Sequence, residues 1–169
     1  MDIALPDDRP VMILDQVFNA APARLWQAWF DPKELEAWWG PEGMTNRDAA
    51  IDPRPGGAWT ITMVGPDGAT FVINSVIYAL TEPRHMTGIA PRDGFRGTAE
   101  ELVASHQTNG MQDIAIAMDL HIDPVAGGAH MRIIQTFPDI AARDANTAMG
   151  AEAGWGGSFR KLERLLATD

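Results

Sequence analysis

The histidines are the residues through which metal binding or proton transfer is easiest to recognise in a sequence, because imidazole does both near neutral pH. Metal sites on a helix show paired histidines, such as two that are four residues apart. His85, His106, His121 and His130 show no such spacing, and the chain has no cysteine. The sequence therefore predicts neither a metal site nor a bound cofactor, and we expect His121, on the polar side of its strand, to face solvent.

Nucleophilic and acid–base chemistry has no recognisable motif either. Ser75, Ser105 and Ser158 lie outside any Gly-x-Ser-x-Gly turn between a strand and a helix. The glycines at 56–57 and 154–157 do not have the spacing of a phosphate-binding loop. Carboxylates are numerous, but no spacing singles out a pair for acid–base catalysis. The sequence predicts no catalytic residue.

Gln135 is the polar side chain of most interest, because it shares the strand parity of Met131, Ile133 and Phe137. Residues two apart on a strand point to the same face, so we expect the Gln135 amide in the interior. A buried amide requires hydrogen-bonding partners. They come either from a core group, which is the simpler alternative, or from a bound ligand.

Trp38 and Trp39 end a short predicted helix. Two neighbouring aromatic residues on one helix cannot both face inward. We expect one of them in the core and the other at the mouth of a pocket, although a helix end packed on the core would also explain the pair.

The charge and composition exclude several functions. A net charge of −10 without a local Lys/Arg cluster argues against nucleic-acid binding. No stretch approaches the roughly 18 consecutive apolar residues of a membrane helix, so we expect no membrane insertion. Asp2, Asp7 and Asp8 stand where a secretory signal would carry positive charge. These features predict a cytoplasmic protein.

Hydrophobic periodicity and turn residues predict an α+β domain. Strands are predicted at 11–18, 45–51, 59–63, 71–80, 84–89, 114–122 and 131–137. Two short helices follow the first strand, at 22–30 and 32–39. Residues 91–110 are polar and contain glycines, which predicts a long loop. Residues 139–167 contain no proline and predict one C-terminal helix of about 40 Å, packed on one face of a curved antiparallel sheet.

Several short blocks occur in collinear order between residues 11 and 166. They are Asp31-Pro32, Trp38-Trp39-Gly40-Pro41-Glu42-Gly43, Asp52-Pro53-Arg54-Pro55-Gly56-Gly57-Ala58-Trp59, Pro66-Asp67-Gly68, Glu82-Pro83-Arg84-His85-Met86 and Gly154-Trp155. Together they resemble the heat-shock ATPase activator homologue family of the START-like superfamily.

The resemblance implies a helix-grip fold of the START/Bet v type, in which a sheet wraps around the long C-terminal helix with a cavity between them. Relatives in the superfamily bind lipids, sterols or polyketides, and some act as aromatases or cyclases. Ser75 and Ala79 depart from the family pattern, which usually has Gly and then Glu four residues later. We expect an N-terminal arm at 1–10 and a single START-like domain at 11–169.

The leading hypothesis is a module that binds a small hydrophobic or amphipathic molecule in the cavity, with a homodimer as the default oligomeric state. A cyclase or hydrolase using the same cavity is the second hypothesis. A chaperone-interacting, stress-response regulator is the third. We expect it least, because only about ten residues precede the first predicted strand, where the eponymous activator carries a further domain. The residues expected to line the cavity are Trp38, Trp39, Trp59, Met63, Phe71, Ile73, Ile116, Met118, Leu120, Ile133, Gln135, Phe137, Trp155 and Phe159.

Two segments are predicted to shape the cavity. Residues 91–110 are expected to gate it, because lids come from weakly packed segments. Gly154, Gly156 and Gly157 lie inside a predicted helix, where each costs about 1 kcal/mol relative to alanine. We expect Gly156 in particular to leave space beside Trp155.

Overall fold

The structure, a computed structural model, describes residues 1–168. The strands in this range are β1 Asp2–Ala4, β2 Val11–Phe18, β3 Thr45–Ile51, β4 Ala58–Val64, β5 Thr70–Thr81, β6 His85–Pro91, β7 Ile114–Val125 and β8 Gly128–Thr136. The helices are α1 Pro22–Phe30, α2 Pro32–Trp38, α3 Ala99–Asn109, α4 Ile140–Ala148 and α5 Ala151–Leu166. The strands form one antiparallel sheet in the order β1-β2-β8-β7-β6-β5-β4-β3. The predicted antiparallel sheet and the two short helices after the first long strand are confirmed.

One face of the sheet, the inner face, packs against α1, α2 and α5 and forms the main core. Leu120 and Ile122 on β7 and Met131 and Ile133 on β8 are fully buried there. Residues two apart on a strand share a face, which is why these apolar residues alternate with polar ones. The alternation predicted β7, and the apolar side of both strands faces the helices, with α1 packed against each strand.

The other face, the outer face, is partly covered by α3, so the prediction of one long loop at 91–110 was wrong. Leu102 on α3 is 1% exposed and packs with Val76 and Ala117. A capping box begins the helix: the Glu101 N–H donates to Thr98 Oγ1 (3.2 Å), and the Thr98 N–H donates to Glu101 Oε2 (2.7 Å). The sequence contained this cap, but a helix with a single fully buried residue shows almost no apolar periodicity.

The C-terminal helical region is divided, so the prediction of a single helix over 139–167 was also wrong. α4 ends at Ala148 and α5 begins at Ala151. Gly150 between them has φ +91°, a backbone conformation that glycine adopts without steric cost and that interrupts a right-handed helix. α5 has 16 residues and is therefore about 24 Å long, and α4 is free to take a different direction beside it.

Candidate ligand-binding pocket

A pocket of about 260 Å³ lies between the inner face of the sheet and the first half of α5. Six of the residues predicted from the sequence border it, namely Trp39, Met63, Ile73, Ile116, Gln135 and Trp155. The lining residues that the sequence did not predict are Gly40, Pro41, Asn146, Ala151, Gly154 and Ser158. They belong to α4, α5 and the turn after α2, whose positions above the sheet are not encoded in any strand pattern.

Aromatic side chains form one wall of the pocket. The Trp39 ring makes edge-to-face contacts with Trp155 (5.3 Å between centroids) and Trp59 (4.8 Å). Trp39 is 8% exposed, whereas its neighbour Trp38 is fully buried and donates its indole N–H to the Ala28 carbonyl (2.8 Å). Both neighbouring tryptophans therefore belong to the core, and Trp39 also borders the pocket. The ring contacts hold Trp39 in one orientation.

Gln135 supplies the pocket's best-defined polar group. The Trp155 indole N–H, which can only donate, donates to Gln135 Oε1 over 3.2 Å. This bond fixes which end of the amide is the oxygen. Within residues 1–168, Gln135 Nε2 has no hydrogen-bond acceptor. A core group therefore satisfies the amide oxygen, and the N–H donors are left available at the pocket.

Two hydrogen-bonded side chains hold the turn at 39–41 in place. Lys161 Nζ on α5 donates to the carbonyls of Trp39 (2.8 Å) and Gly40 (3.2 Å). Burial lowers the pKa of Lys161, because its charged form loses solvation. Asn46 Nδ2 on β3 donates to the same Trp39 carbonyl (2.7 Å). The turn that forms one wall of the pocket is thus tied to both α5 and the sheet.

The glycines of α5 differ in what lies beside them. Gly154 borders the pocket, and a Cβ there would lie 3.5 Å from Pro41 Cγ. A Cβ on Gly157 would lie 3.2 Å from Pro41 Cα. A Cβ on Gly156 would meet only the ends of flexible side chains that do not border the pocket, so the expectation for Gly156 was wrong. One step along a helix is a rotation of about 100°, which carries Gly156 away from the Trp155 side.

The remaining predicted residues lie outside the pocket. Trp38, Trp59, Leu120, Ile133, Phe137 and Phe159 are core residues at most 2% exposed, and Met118 packs against the same core. These side chains occupy much of the space in which the sequence predicted a cavity. Phe71 is 49% exposed, so the prediction that it lines a cavity was wrong. Phe71 is directly opposite Met63 on the neighbouring strand, so strand parity correctly predicted which face of the sheet it lies on. Parity does not predict whether another element covers that face at Phe71.

The segment 91–110, expected to gate the cavity, does not border this pocket. Its helix α3 packs on the outer face of the sheet through Leu102. The sheet itself therefore separates α3 from the pocket, and the gating prediction was wrong.

A larger hollow, of about 590 Å³, lies between the end of β2 and the end of α5. It includes Asn19 and Glu163 and none of the residues predicted to bind a ligand. We place the candidate site in the smaller pocket, because six of the residues predicted to bind a ligand border that pocket.

A group of polar side chains occupies the outer face of β6 and β7. His85 is directly opposite His121, and Thr87 is directly opposite Asp119. The two imidazole rings stack with centroids 4.6 Å apart, so His121 is half-buried rather than facing solvent as expected. Burial and, next, the neighbouring His85 lower the pKa of His121.

A sequence model of the family described as "Activator of Hsp90 ATPase homolog 1-like protein" matches residues 19–167. The chain belongs to this family. The matched range begins before α1 and extends beyond α5, so it contains every element that borders the pocket. Membership in the family confirms the resemblance drawn from the tryptophan, glycine and proline blocks, and it is consistent with a ligand-binding or regulatory domain.

Solved structures show the same helix-grip fold. Protein Ms6760 from Mycobacterium smegmatis is 23% identical, with a TM-score of 0.80 over 99% of this chain and 98% of that one. Protein NE0264 from Nitrosomonas europaea is 19% identical, with a TM-score of 0.79 over 97% of each chain. The AHSA1 protein from Silicibacter pomeroyi is 22% identical, with a TM-score of 0.65 over 94% of this chain and 98% of that one. At these identities the likeness shows the fold alone.

None of the curated proteins compared with this chain matches it. Among residues 1–168, no helix combines the length and the apolar character that crossing a membrane requires.

Proposed function

We propose that the protein binds a small, largely apolar molecule that carries a hydrogen-bond acceptor, in the pocket beside Trp39 and Trp155. The observation that carries this proposal is the Gln135 amide. Its oxygen accepts from Trp155, while its nitrogen has no acceptor within residues 1–168 and its side chain borders the pocket. A ligand that supplies the missing acceptor gains a hydrogen bond in a mostly apolar site.

The size and the charge of the pocket narrow the class of ligand. Ligand pockets commonly have volumes of roughly 300–1,000 Å³, so a pocket of about 260 Å³ suits a molecule smaller than a typical drug. In the described chain, residues 1–168, no Lys, Arg or His borders the pocket. An unpaired carboxylate would be costly to bury there. A neutral carbonyl or hydroxyl compound of about one ring fits both constraints.

The lining residues favour binding over catalysis. Within residues 1–168, the pocket is bordered by no Asp, Glu, His or Lys and therefore offers no strong general acid or base. Ser158 is the one hydroxyl among the lining residues described, and it donates to the Gly154 carbonyl (3.0 Å). A nucleophilic serine requires an adjacent base, so a cyclase or hydrolase is the weaker hypothesis.

An NMR titration with two matched probes tests the proposal. Cyclohexanone has a carbonyl acceptor, and methylcyclohexane has nearly the same shape without one. We expect cyclohexanone to shift the indole N–H resonances of Trp39 and Trp155 and to bind more tightly than methylcyclohexane. Trp39 and Trp155 resonances that respond to neither probe would contradict the pocket. Equal affinity for both probes would contradict the role of the amide.

Gln135→Glu removes the donor and adds a negative charge. Glutamate keeps an oxygen that accepts from Trp155 but loses the N–H groups, so cyclohexanone affinity should fall at least about fivefold, the loss expected for one neutral hydrogen bond of ~1 kcal/mol. Gln107→Glu, at an exposed position of α3, makes the same chemical change away from the pocket and should leave the affinity unaltered. Native mass spectrometry of the freshly purified protein would then identify a co-purifying natural ligand.

A further inference from the structure

His85, Asp119 and His121 come together on the outer face of the sheet, opposite to the pocket. Asp119 and His121 are two apart on β7 and share a face, and His85 on β6 is directly opposite His121. One ligand atom from each residue lies within 4.8 Å of those from the other two. Strand pairing thus brings two imidazoles and one carboxylate to a single point.

We propose that these three side chains bind a divalent transition-metal ion of the Zn²⁺ type, with water completing its coordination. Imidazole nitrogen and carboxylate oxygen are both ligands of Zn²⁺, and imidazole also suits Cu²⁺ and Ni²⁺. Ca²⁺ and Mg²⁺ prefer sites made of oxygen ligands, which two imidazoles do not provide. Three protein ligands leave a coordination position open to solvent.

The distances require only a local adjustment of the side chains. Zn²⁺ bonds of about 2.0–2.2 Å place neighbouring tetrahedral ligand atoms about 3.4 Å apart. His85 Nε2 and Asp119 Oδ1 are already 3.4 Å apart. The ligand atoms of the three residues all lie within 4.8 Å of one another, and rotation of the imidazole rings out of their stack would bring them around one ion. The side chains of His85 and Asp119 are 31% and 32% exposed, so a hydrated ion can reach them.

Thr87 supplies the outer-sphere contact that metal sites usually have. Its hydroxyl donates to Asp119 Oδ1 (2.5 Å) and lies 3.3 Å from His85 Nε2. Such contacts orient the ligand and commonly change metal affinity 10- to 100-fold, as an order of magnitude. The hydrogen bond engages one carboxylate oxygen of Asp119 and holds the side chain toward His85.

Charges of both signs lie around the group. Arg132 is directly opposite His121 on β8 and acts on it electrostatically, while its guanidinium donates two hydrogen bonds of 2.8 and 3.0 Å to Asp15. Asp123 adds a negative charge close enough to act on His121, and it pairs with Arg84 over 3.5 Å. The chain as a whole carries −10, which raises the local concentration of cations.

The test is equilibrium dialysis of the chelator-treated protein against ZnCl₂, followed by elemental analysis. We expect one Zn²⁺ per chain in the wild type. His85→Gln and His121→Gln should each weaken binding at least about tenfold, and Thr87→Val should weaken it about 10- to 100-fold. His130→Gln removes a histidine outside the group, which pairs with Asp15 instead, and should bind Zn²⁺ as the wild type does.

Imidazole ¹⁵N spectra of the wild type keep the proposal testable if a variant does not fold. Zn²⁺ should shift the resonances of His85 and His121 and leave those of His106 and His130 in place. Less than one bound Zn²⁺ per chain at saturation would overturn the proposal. Unchanged affinity in both folded histidine variants, or shifts confined to His106 and His130, would overturn it as well.

Discussion

Replacing Gly157 by alanine should destabilise the protein, although the same replacement at Gly154 should stabilise it. Both glycines lie inside α5, where alanine is favoured over glycine by about 1 kcal/mol. Their surroundings differ. A Cβ on Gly154 would lie 3.5 Å from Pro41 Cγ, an ordinary contact, whereas a Cβ on Gly157 would lie 2.8 Å from the Glu42 backbone nitrogen.

The magnitude follows from which atoms can move. The other close atoms around a Cβ at Gly157 are the Cα and C of Pro41, at 3.2 and 3.3 Å, and backbone atoms cannot rotate away as a side chain can. Overpacking of this kind costs about 1–3 kcal/mol, which exceeds the gain in helix propensity. We expect Gly157→Ala to lose about 1 kcal/mol and Gly154→Ala to gain up to about 1 kcal/mol.

Urea denaturation of the two variants and the wild type measures this difference directly. A difference of about 2 kcal/mol between the variants corresponds to roughly 4–8 °C in Tm for a chain of this size. If Gly157→Ala is as stable as Gly154→Ala, the close approach of α5 to the turn after α2 is not what requires glycine, and the reasoning fails. Equal m-values would show that the variants unfold from the same compact state.

Three further outcomes are expected. Gly154→Leu should fill the pocket and abolish the cyclohexanone-induced shifts while the protein stays folded, whereas Gly154→Ala should retain them; binding by a folded leucine variant would place the ligand elsewhere. A hydrogen bond from Arg132 is the main cause that lowers the pKa of Asp15. The Asp15 carboxylate therefore stabilises the fold above the unfolded-state pKa of about 3.9. This contribution is lost as the pH falls through the lower folded-state pKa. The stability gap between wild type and Asp15→Asn, from urea denaturation at several pH values, should be constant above about pH 5 and shrink below pH 4; a gap that widens on acidification would contradict this sign. Thr98→Ala should cost about 1 kcal/mol of stability by removing the cap of α3, and Thr98→Ser, which keeps a hydroxyl, is the control. Amide hydrogen exchange in α3 should become faster in the alanine variant. Unchanged exchange would mean that the cap does not stabilise the helix.

The strands were predictable because each has one covered face. The alternation around Leu120 and Ile122 arises because the inner face is buried and the outer face is polar. It predicted nearly the whole length of β7. The first short helix was predictable from Pro22 in its first turn. The second was predictable from Asp31, whose carboxylate accepts from the Lys33 and Glu34 N–H groups. These features are local, and a local pattern can be read without knowing the rest of the fold.

The outer-face group could not be predicted because its spacing exists only after the strands pair. His85 and Asp119 are separated by 34 positions in the chain, and only the register of β6 against β7 makes them neighbours. The same limit applies to Asn146, which reaches the pocket because α4 breaks from α5 at Gly150. For Phe71, the face of the sheet was predictable from strand parity, but its exposure to solvent was not.

The strand β7 tolerates no change in length between Met118 and Ile122. Deleting Asp119 would turn the side chains that follow it to the opposite face. Leu120 and Ile122 would then lose their burial, at about 1.5–3 kcal/mol for each apolar side chain, and His121 would enter the core without polar partners. Substitutions in β7 act on one face at a time, but insertions and deletions act on both, so length variants of this protein should be confined to its loops.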